Sequence, residues 1–449
     1  MDIKGFAEKL FAKGYEIGFE DMEVYYVDSD SFDIKVYKGE IDSYNVNTSR
    51  GLSFRGILNG KMSYSFTEKF NNEDIDYLLN SAIKNIEEVE IIDEEFIYGG
   101  SGEYHLPFEN KYTEVEASKK INDAISLEKQ GGSIDSRIDS VQHCILQTAK
   151  GSRRIINTRG LELSEESGIC MAYLSVVASD GEDKKSGSSF DMVESYEDLD
   201  FDAIAREATK EAVIKIGATT PSSGKYKIIL RYDVAADMLG TFWDIFSAEA
   251  VQKGLSLLKD KIGDVIASEN VSIIDNPFLE ESSSKCTFDD EGVVTMKKPL
   301  IEKGVLKTYL HNLKTANKDN VNSTGNGFKS SYKSPVGISP TNLYIEKGQK
   351  SLENIISRLD KGIMITELQG LHSGANSVSG DFSLAALGQL IENGNLSGPV
   401  EQITISGNFY TLLKDVLEVA SDLKLSAPTG AGGYGSPSLL IKEMNISGK

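Results

Sequence analysis

Side chains that could hold a metal or attack a carbonyl are few and scattered. The histidines are His105, His143, His311 and His372, and no two lie within four residues of each other. No helix can therefore present two imidazoles one turn apart, as zinc-binding helices do. Cys144, Cys170 and Cys286 are equally dispersed, with no Cys-x-x-Cys, so reduced, buried thiols are expected. Gly430-Ala-Gly432-Gly433-Tyr-Gly435 spells the dinucleotide fingerprint. No helical pattern comes after it, and the acidic residue needed about twenty positions on has no place, so a flexible loop before the last strand is expected. Ser-x-x-Lys at Ser256–Lys259 and Ser282–Lys285 is chance-level in a chain rich in both residues. Asp289-Asp290-Glu291 could hold a hard cation, but a solvated turn is the simpler expectation. The acidic run Glu87–Glu95 reads as a solvated helix end.

The segment Gly370-Leu-His372-Ser-Gly374-Ala-Asn376-Ser-Val-Ser379-Gly380-Asp381-Phe-Ser383 is different in kind. Glycines alternate with polar side chains without helical or strand period. Glycine lets backbone approach another group closely, and the interleaved polar groups could bind a ligand or a chain. Composition leaves a purely structural loop between sheets equally open.

The elements that must position these residues fit an α+β protein of two domains, with antiparallel sheets and packed helices. The chain has 449 residues, 40% of them apolar and 26% charged. That is ample for real cores and argues against disorder. The charge sum, 47 − 69 = −22, argues against nucleic-acid binding, which needs a clustered basic surface. No signal segment or membrane-spanning run is visible, so a soluble, cytoplasmic protein is expected.

Ile3, Phe6, Leu10 and Phe11 form a helical stripe, and alternation from Asp21 to Thr67 predicts a meander with turns at Lys38-Gly39, Arg50-Gly51 and Asn59-Gly60. Helices are predicted over about 72–89, from a Thr113-x-x-Glu116 capping box to Gly131, and over 202–216. Strand-like alternation fills 134–193. The small, polar stretch Thr219–Gly224 is the expected boundary between an N-terminal domain of residues 1–220 and a C-terminal domain of residues 221–449. There, a strand at 225–232 precedes a helix from Asp233, and Asn408 opens a late helix carrying Phe409 through Ala420.

The Gly370–Ser383 segment resembles the signature of the TldD/PmbA family, whose members were once called modulators of DNA gyrase. The resemblance continues through Ile391-Glu-Asn-Gly394, Ile405-Ser-Gly-Asn408, Ser436-Pro-Ser-Leu, Lys253-Gly-Leu-Ser256 and Ile273-Ile-Asp-Asn-Pro277, and spans essentially the whole chain. It implies the family's α+β fold and metallopeptidase proteolysis, in which the TldD branch binds zinc through His-Glu-x-x-x-His on a helix early in the C-terminal domain and a late cysteine. Here the helix expected at about Asp233–Glu249 has no histidine, and Ser426-Ala-Pro428 stands near the place of the cysteine. The chain therefore resembles the PmbA branch, also called TldE.

That branch implies a subunit without catalytic or metal-binding residues of its own, with no cofactor in this chain and zinc only in a TldD-type partner. A TldD-type metalloprotease subunit or a homodimer is the expected partner, and unfolded peptides or peptide precursors the substrate. His372, Asn376, Ser379, Gly380, Asp381, Gly432 and Gly433 are the candidates for contacting peptide or partner. The rival reading is a self-sufficient metallopeptidase whose site gathers distant residues, with His372, Asp381 and Glu249 as the first ligands to try.

Overall fold

The computed structural model describes residues 2–88, 95–100, 103–105, 108–427 and 432–449. The fold is α+β. Its first half follows the alternation: α1 (Ile3–Glu16), β1 (Met22–Tyr37), β2 (Glu40–Leu58), β3 (Lys61–Thr67), α2 (Asn72–Glu88), α3 (Ala117–Gly131), β4 (Ile138–Asn157), β5 (Glu162–Asp180), β6 (Asp183–Val193) and α4 (Phe201–Val213). The six strands form one antiparallel sheet in the order β3-β2-β1-β4-β5-β6. Lys38-Gly39 and Asn59-Gly60 turn with positive φ at both positions, the backbone that a two-residue hairpin requires. The α1/α2 pair buries Phe6, Leu10 and Leu78 on Leu52 and Phe54. Helices α3 and α4 bury Ala124, Leu127 and Ala208 on Ile34, Leu146 and Leu174.

Two local expectations fail here. Arg50-Gly51 is not a turn but lies inside β2, and the glycine makes room for a ring: a Cβ there would stand 2.5 Å from Tyr332. Helix α3 starts at Ala117 with Glu116 as N-cap and no side-chain capping bond, so the Thr113 box does not form. Tyr112 and Val115 instead pack on the sheet core, with Tyr112 against Gly168, and this holds the preceding residues out of the helix. Of the acidic run Glu87–Glu95, residues 89–94 lie outside the described residues.

The second half begins with β7 (Gly224–Leu230) and α5 (Tyr232–Phe242). Strand β7 lies between Lys361–Gln369 and Leu439–Ser447 in a six-stranded sheet that also holds Asp381–Glu392, Asn395–Asn408 and Val416–Val419. Asn395–Asn408 pairs with Leu439–Ser447 as well, which curls the sheet closed. A second six-stranded sheet is built mostly of strands of two to five residues, among them Ile273–Asp275 and Leu343–Ile345. The main core lies under α5, where Leu239 and Phe242 meet Phe382, Ile405 and Phe409. Phe242 stacks on Phe409 with centroids 4.6 Å apart.

The expected helix Asp233–Glu249 is three pieces. After α5 the chain makes a tight 3-10 turn, Trp243–Phe246, then an extended Ser247, then α6 (Ala248–Gln252). Leu310 captures the break: its N–H donates to Phe246 O and its carbonyl accepts from Ala248 N. The late helix also stops early, at Lys414. Asn408 does cap it, accepting from Tyr410 N and Thr411 N, but Val416–Val419 leaves as a strand paired with Leu439–Ile441.

The two halves are joined through charge. Asp289, Asp290 and Glu291 are buried, which corrects the expected solvated turn. Glu291 meets Arg55, which also holds Glu23 at 2.7 Å. Arg153 bridges Asp290 and Glu165. Asp289 accepts from the N–H groups of Glu291, Val293 and Gly327. These oxygens are spent on arginines and backbone and are not arranged around a cation. All three cysteines are free and buried. Among the described residues, no helix is long and apolar enough to cross a membrane.

Candidate functional site

The Gly370–Ser383 segment is a tightly pinned turn between the strands Lys361–Gln369 and Asp381–Glu392. It opens with one helical turn, Leu371–Gly374, packed against α5. Asn376 shapes the remainder of the turn. Its side chain accepts from Val378 N and Ser379 N, its N–H donates to Asp381 O, and its carbonyl accepts from Gly380 N at 2.8 Å. Gly380 has φ +81° and faces the Tyr410 ring, where a Cβ would come within 2.5 Å. Its carbonyl accepts from Phe409 N.

Asn408 locks the other side, donating to Ser379 O at 2.8 Å and to Asp381 Oδ1 at 2.9 Å. The Asn408 amide and the Ser379 hydroxyl beside it hold the Asp381 carboxyl below its ordinary value. Ser377 donates to Asp244 on the 3-10 turn below. Burial raises Asp244, whose other oxygen has no hydrogen-bond partner among the described residues. Asn376, Ser379, Gly380 and Asp381 are thus brought together, but to fix the turn. His372 is exposed on the opening helical turn.

Gly432 and Gly433 are separate from this turn and are not an open loop. A Cβ on Gly432 would fall 1.9 Å from Thr341 O. Gly433 donates to Asn342 Oδ1, and its carbonyl accepts from Leu343 N. Both are buried backbone joining a sheet. Residues 428–431 of this segment lie outside the described residues. Glu249 pairs with Lys253 on the surface, Asp381 with Asn408, and His372 with neither. No three His, Cys, Asp or Glu side chains are placed to hold a metal among the described residues. The ligand set of the rival reading is therefore not assembled.

A cleft of about 680 Å³ opens on the other flank of α5. Tyr232, Asp233, Ala236 and Asp237 of α5 form one wall, with Phe190 and Met192 of β6, Glu207 and Glu211 of α4, Thr366 and Glu367 of the strand leading into the pinned turn, and Leu423–Ser426 around the rest. Arg231 forks onto Glu211 and Asp233, at 2.7 and 2.6 Å. Lys215 holds Glu367 at 2.6 Å, and although burial pushes that carboxyl up, the lysine leaves it below its ordinary value. Asp237 faces the cleft from the next turn of α5. Burial by the surrounding walls, with the Asp233 carboxylate nearby, pushes it up to about 6.

Sequence reasoning missed this cleft, because the absence of histidine over Asp233–Glu249 drew attention instead. Tyr232, Asp233 and Asp237 of α5 share this cleft with Ser426. Trp243 packs against the main core instead of lining it. These donors do not fit zinc. A zinc site with an open position needs three protein ligands, usually including imidazole or thiolate. The cleft offers a phenol and a hydroxyl but no nitrogen or sulfur donor of that kind, and the Asp233 carboxylate is tied to Arg231.

With this geometry in place, comparison gives the class. Three family models match in succession: PmbA/TldA metallopeptidase domain 1 over residues 22–86, the central domain over 110–216 and the C-terminal domain over 223–448. An uncharacterized protein of Methanocaldococcus jannaschii is 30% identical over 436 residues, covering 94% of this chain and 97% of that one. The metalloprotease PmbA of Escherichia coli O157:H7 is 25% identical over 341 residues, covering 75% and 71%. The crystal structure of a Thermotoga maritima protein described as a modulator of a DNA gyrase superposes with a TM-score of 0.90 at 32% identity, covering 99% of this chain and all of that one. The chain belongs to the TldD/PmbA metallopeptidase family.

Proposed function

We propose that the chain is a PmbA/TldE-like subunit of a cytoplasmic TldD/TldE-type zinc peptidase complex that acts on unfolded peptides or peptide precursors. It supplies no catalytic metal itself. The observation that carries this reading is that the first helices of the C-terminal half, from Tyr232 to Gln252, carry no histidine and no cysteine. Activating water on zinc needs protein ligands and an open position, and among the described residues this helix offers one carboxylate without an ion pair, Asp237, and no imidazole or thiolate. Zinc would then reside in a TldD-type partner.

The cleft beside α5 supports a share in substrate handling. Its acidic walls and the apolar side chains of Phe190, Met192, Tyr232 and Leu425 suit an extended peptide, which backbone hydrogen bonds can hold without sequence preference. In the pinned turn, Asn376 and Asp381 set shape, and His372 is left exposed for contact. The test is hydrolysis of an unstructured peptide by this chain alone, by a TldD-type chain alone, and by the mixture. Cleavage that requires or is strongly raised by the mixture is expected. Chelator-sensitive cleavage by this chain alone contradicts the reading.

A further inference from the structure

A cavity of about 480 Å³ opens where the two halves meet. Strands β1, β4 and β5 supply one wall, and residues 283–286, Asp290 and 328–330 of the C-terminal half supply the other. Three lysines line it among the described residues. Lys150 is paired with Glu114 at 2.7 Å and Lys285 with Glu194 at 2.8 Å. Lys329 is different. Its amine donates to the buried Ser53 hydroxyl at 2.7 Å, lies 5.0 Å from the centre of the Tyr25 ring, and has no ion pair among the described residues. The carboxylates whose charge it feels, Glu23, Asp290 and Glu291, are held by Arg55 and Arg153. Burial, with the Arg55 guanidinium nearby, pushes the amine down to about 8. Desolvation beside a second cation is how lysines that attack carbonyls are prepared. Lys120 makes the contrast: burial lowers it too and it also donates to a hydroxyl, that of Thr148, but it is 3% exposed and lies outside this cavity. Lys329 is half-buried and open to small molecules from the cavity side.

We infer that Lys329 is a covalent capture site, whose amine condenses with a small neutral aldehyde that enters this cavity. The Nζ lone pair attacks the carbonyl carbon and forms the C–N bond, while the carbonyl π pair moves to oxygen. Both Nζ protons then pass to that oxygen, the C–O bond breaks, and amine plus aldehyde become imine plus water with no oxidant or reductant. The Ser53 hydroxyl, which already accepts from the amine, is placed to relay a proton. Tyr25, Phe108 and Phe328 give the cavity aromatic surface for an apolar aldehyde. Six carboxylates against four cations line it, which disfavours an aldehyde that carries a negative charge. The inference does not rest on the peptidase reading, and failure of the hydrolysis test leaves it standing.

The test is labelling of the full chain with benzaldehyde and cyanoborohydride, which reduces an imine to a stable secondary amine, with each lysine followed over time by peptide mass spectrometry. At pH 7 Lys329 should label at least about tenfold faster than exposed lysines, whose ordinary pKa is about 10.4. Its rate should level off above pH 8 while theirs keeps climbing. Replacing benzaldehyde by glyoxylate should cut its lead over the exposed lysines by at least about threefold. Lys329→Arg should remove the fast-labelled site with circular dichroism unchanged. Labelling of Lys329 no faster than that of exposed lysines, a rate that climbs with theirs beyond pH 9, an undiminished lead with glyoxylate, or a fast site that survives Lys329→Arg would each overturn the inference.

Discussion

At the junction of the two halves, Asp289, Asp290 and Glu291 are buried and spend their oxygens on Arg55, Arg153 and backbone N–H groups. In the cleft beside α5, Asp237 has no ion pair among the described residues. The chemistry is the same and the surroundings differ. Buried charge persists only when paired and hydrogen-bonded, so the junction is committed to holding the two halves together. Even there the balance is tight: burial pushes Lys329 down to about 8, and its ammonium donates to Ser53. In the cleft, arginine and lysine satisfy Asp233, Glu211 and Glu367, while Asp237 lines the cleft without an ion pair among the described residues. Acidic residues next to each other in sequence became structural, while those spaced along a helix line a cleft.

The contrast can be broken most forcefully at the junction. Arg153→Met strands Asp290 and Glu165 as buried, unpaired carboxylates and should cost about 3–5 kcal/mol in denaturant unfolding. A loss below one kcal/mol would mean the junction is wetter than described. At the sheet joint, Gly432→Ala drives a Cβ into Thr341 O and should destabilise by about 1–3 kcal/mol, read from the same unfolding curves. Next comes the pinned turn. Asn408→Ala removes a helix cap and the ties to Ser379 and Asp381, and should cost about 1–2 kcal/mol, with faster amide exchange confined to 376–381.

The smallest effect should carry the opposite sign. The folded pKa of Asp237 is about 6, above its ordinary 3.8, so the folded state binds the proton more tightly and the ionised carboxylate costs stability at neutral pH. Asp237→Asn should therefore stabilise by roughly 1 kcal/mol at pH 7, allowing for solvent screening, with the gain shrinking as pH falls from about 6 to about 4. A destabilised variant at pH 7 would place Asp237 in an unseen pairing and erase the contrast.

Sequence patterning reached much of this fold and little of the cleft. Long alternating strands and Asn59-Gly60 made the N-terminal meander readable, because period and turn chemistry are local. Arg50-Gly51 misled because a glycine that admits the Tyr332 ring looks like a glycine that turns. The break at Ser247 was invisible, since Leu310, which causes it, lies far along the chain. Burial of Asp290 and Glu291 was equally hidden: Arg153 and Arg55 lie 137 and 236 positions away. For the site, the resemblance located the Gly370–Ser383 turn but not that Asn376 and Asp381 serve its own geometry. The wall of the cleft draws on six separate stretches of chain, and no local pattern in the sequence marks their meeting.

The most direct measurement is zinc per chain, by elemental mass spectrometry on untagged protein purified without chelator. The donor set of α5 predicts a value near zero, rising only when a TldD-type chain copurifies. A value near one in the chain alone would contradict the account, since distant residues would then form a site that the arrangement around α5 and the Gly370–Ser383 turn does not contain.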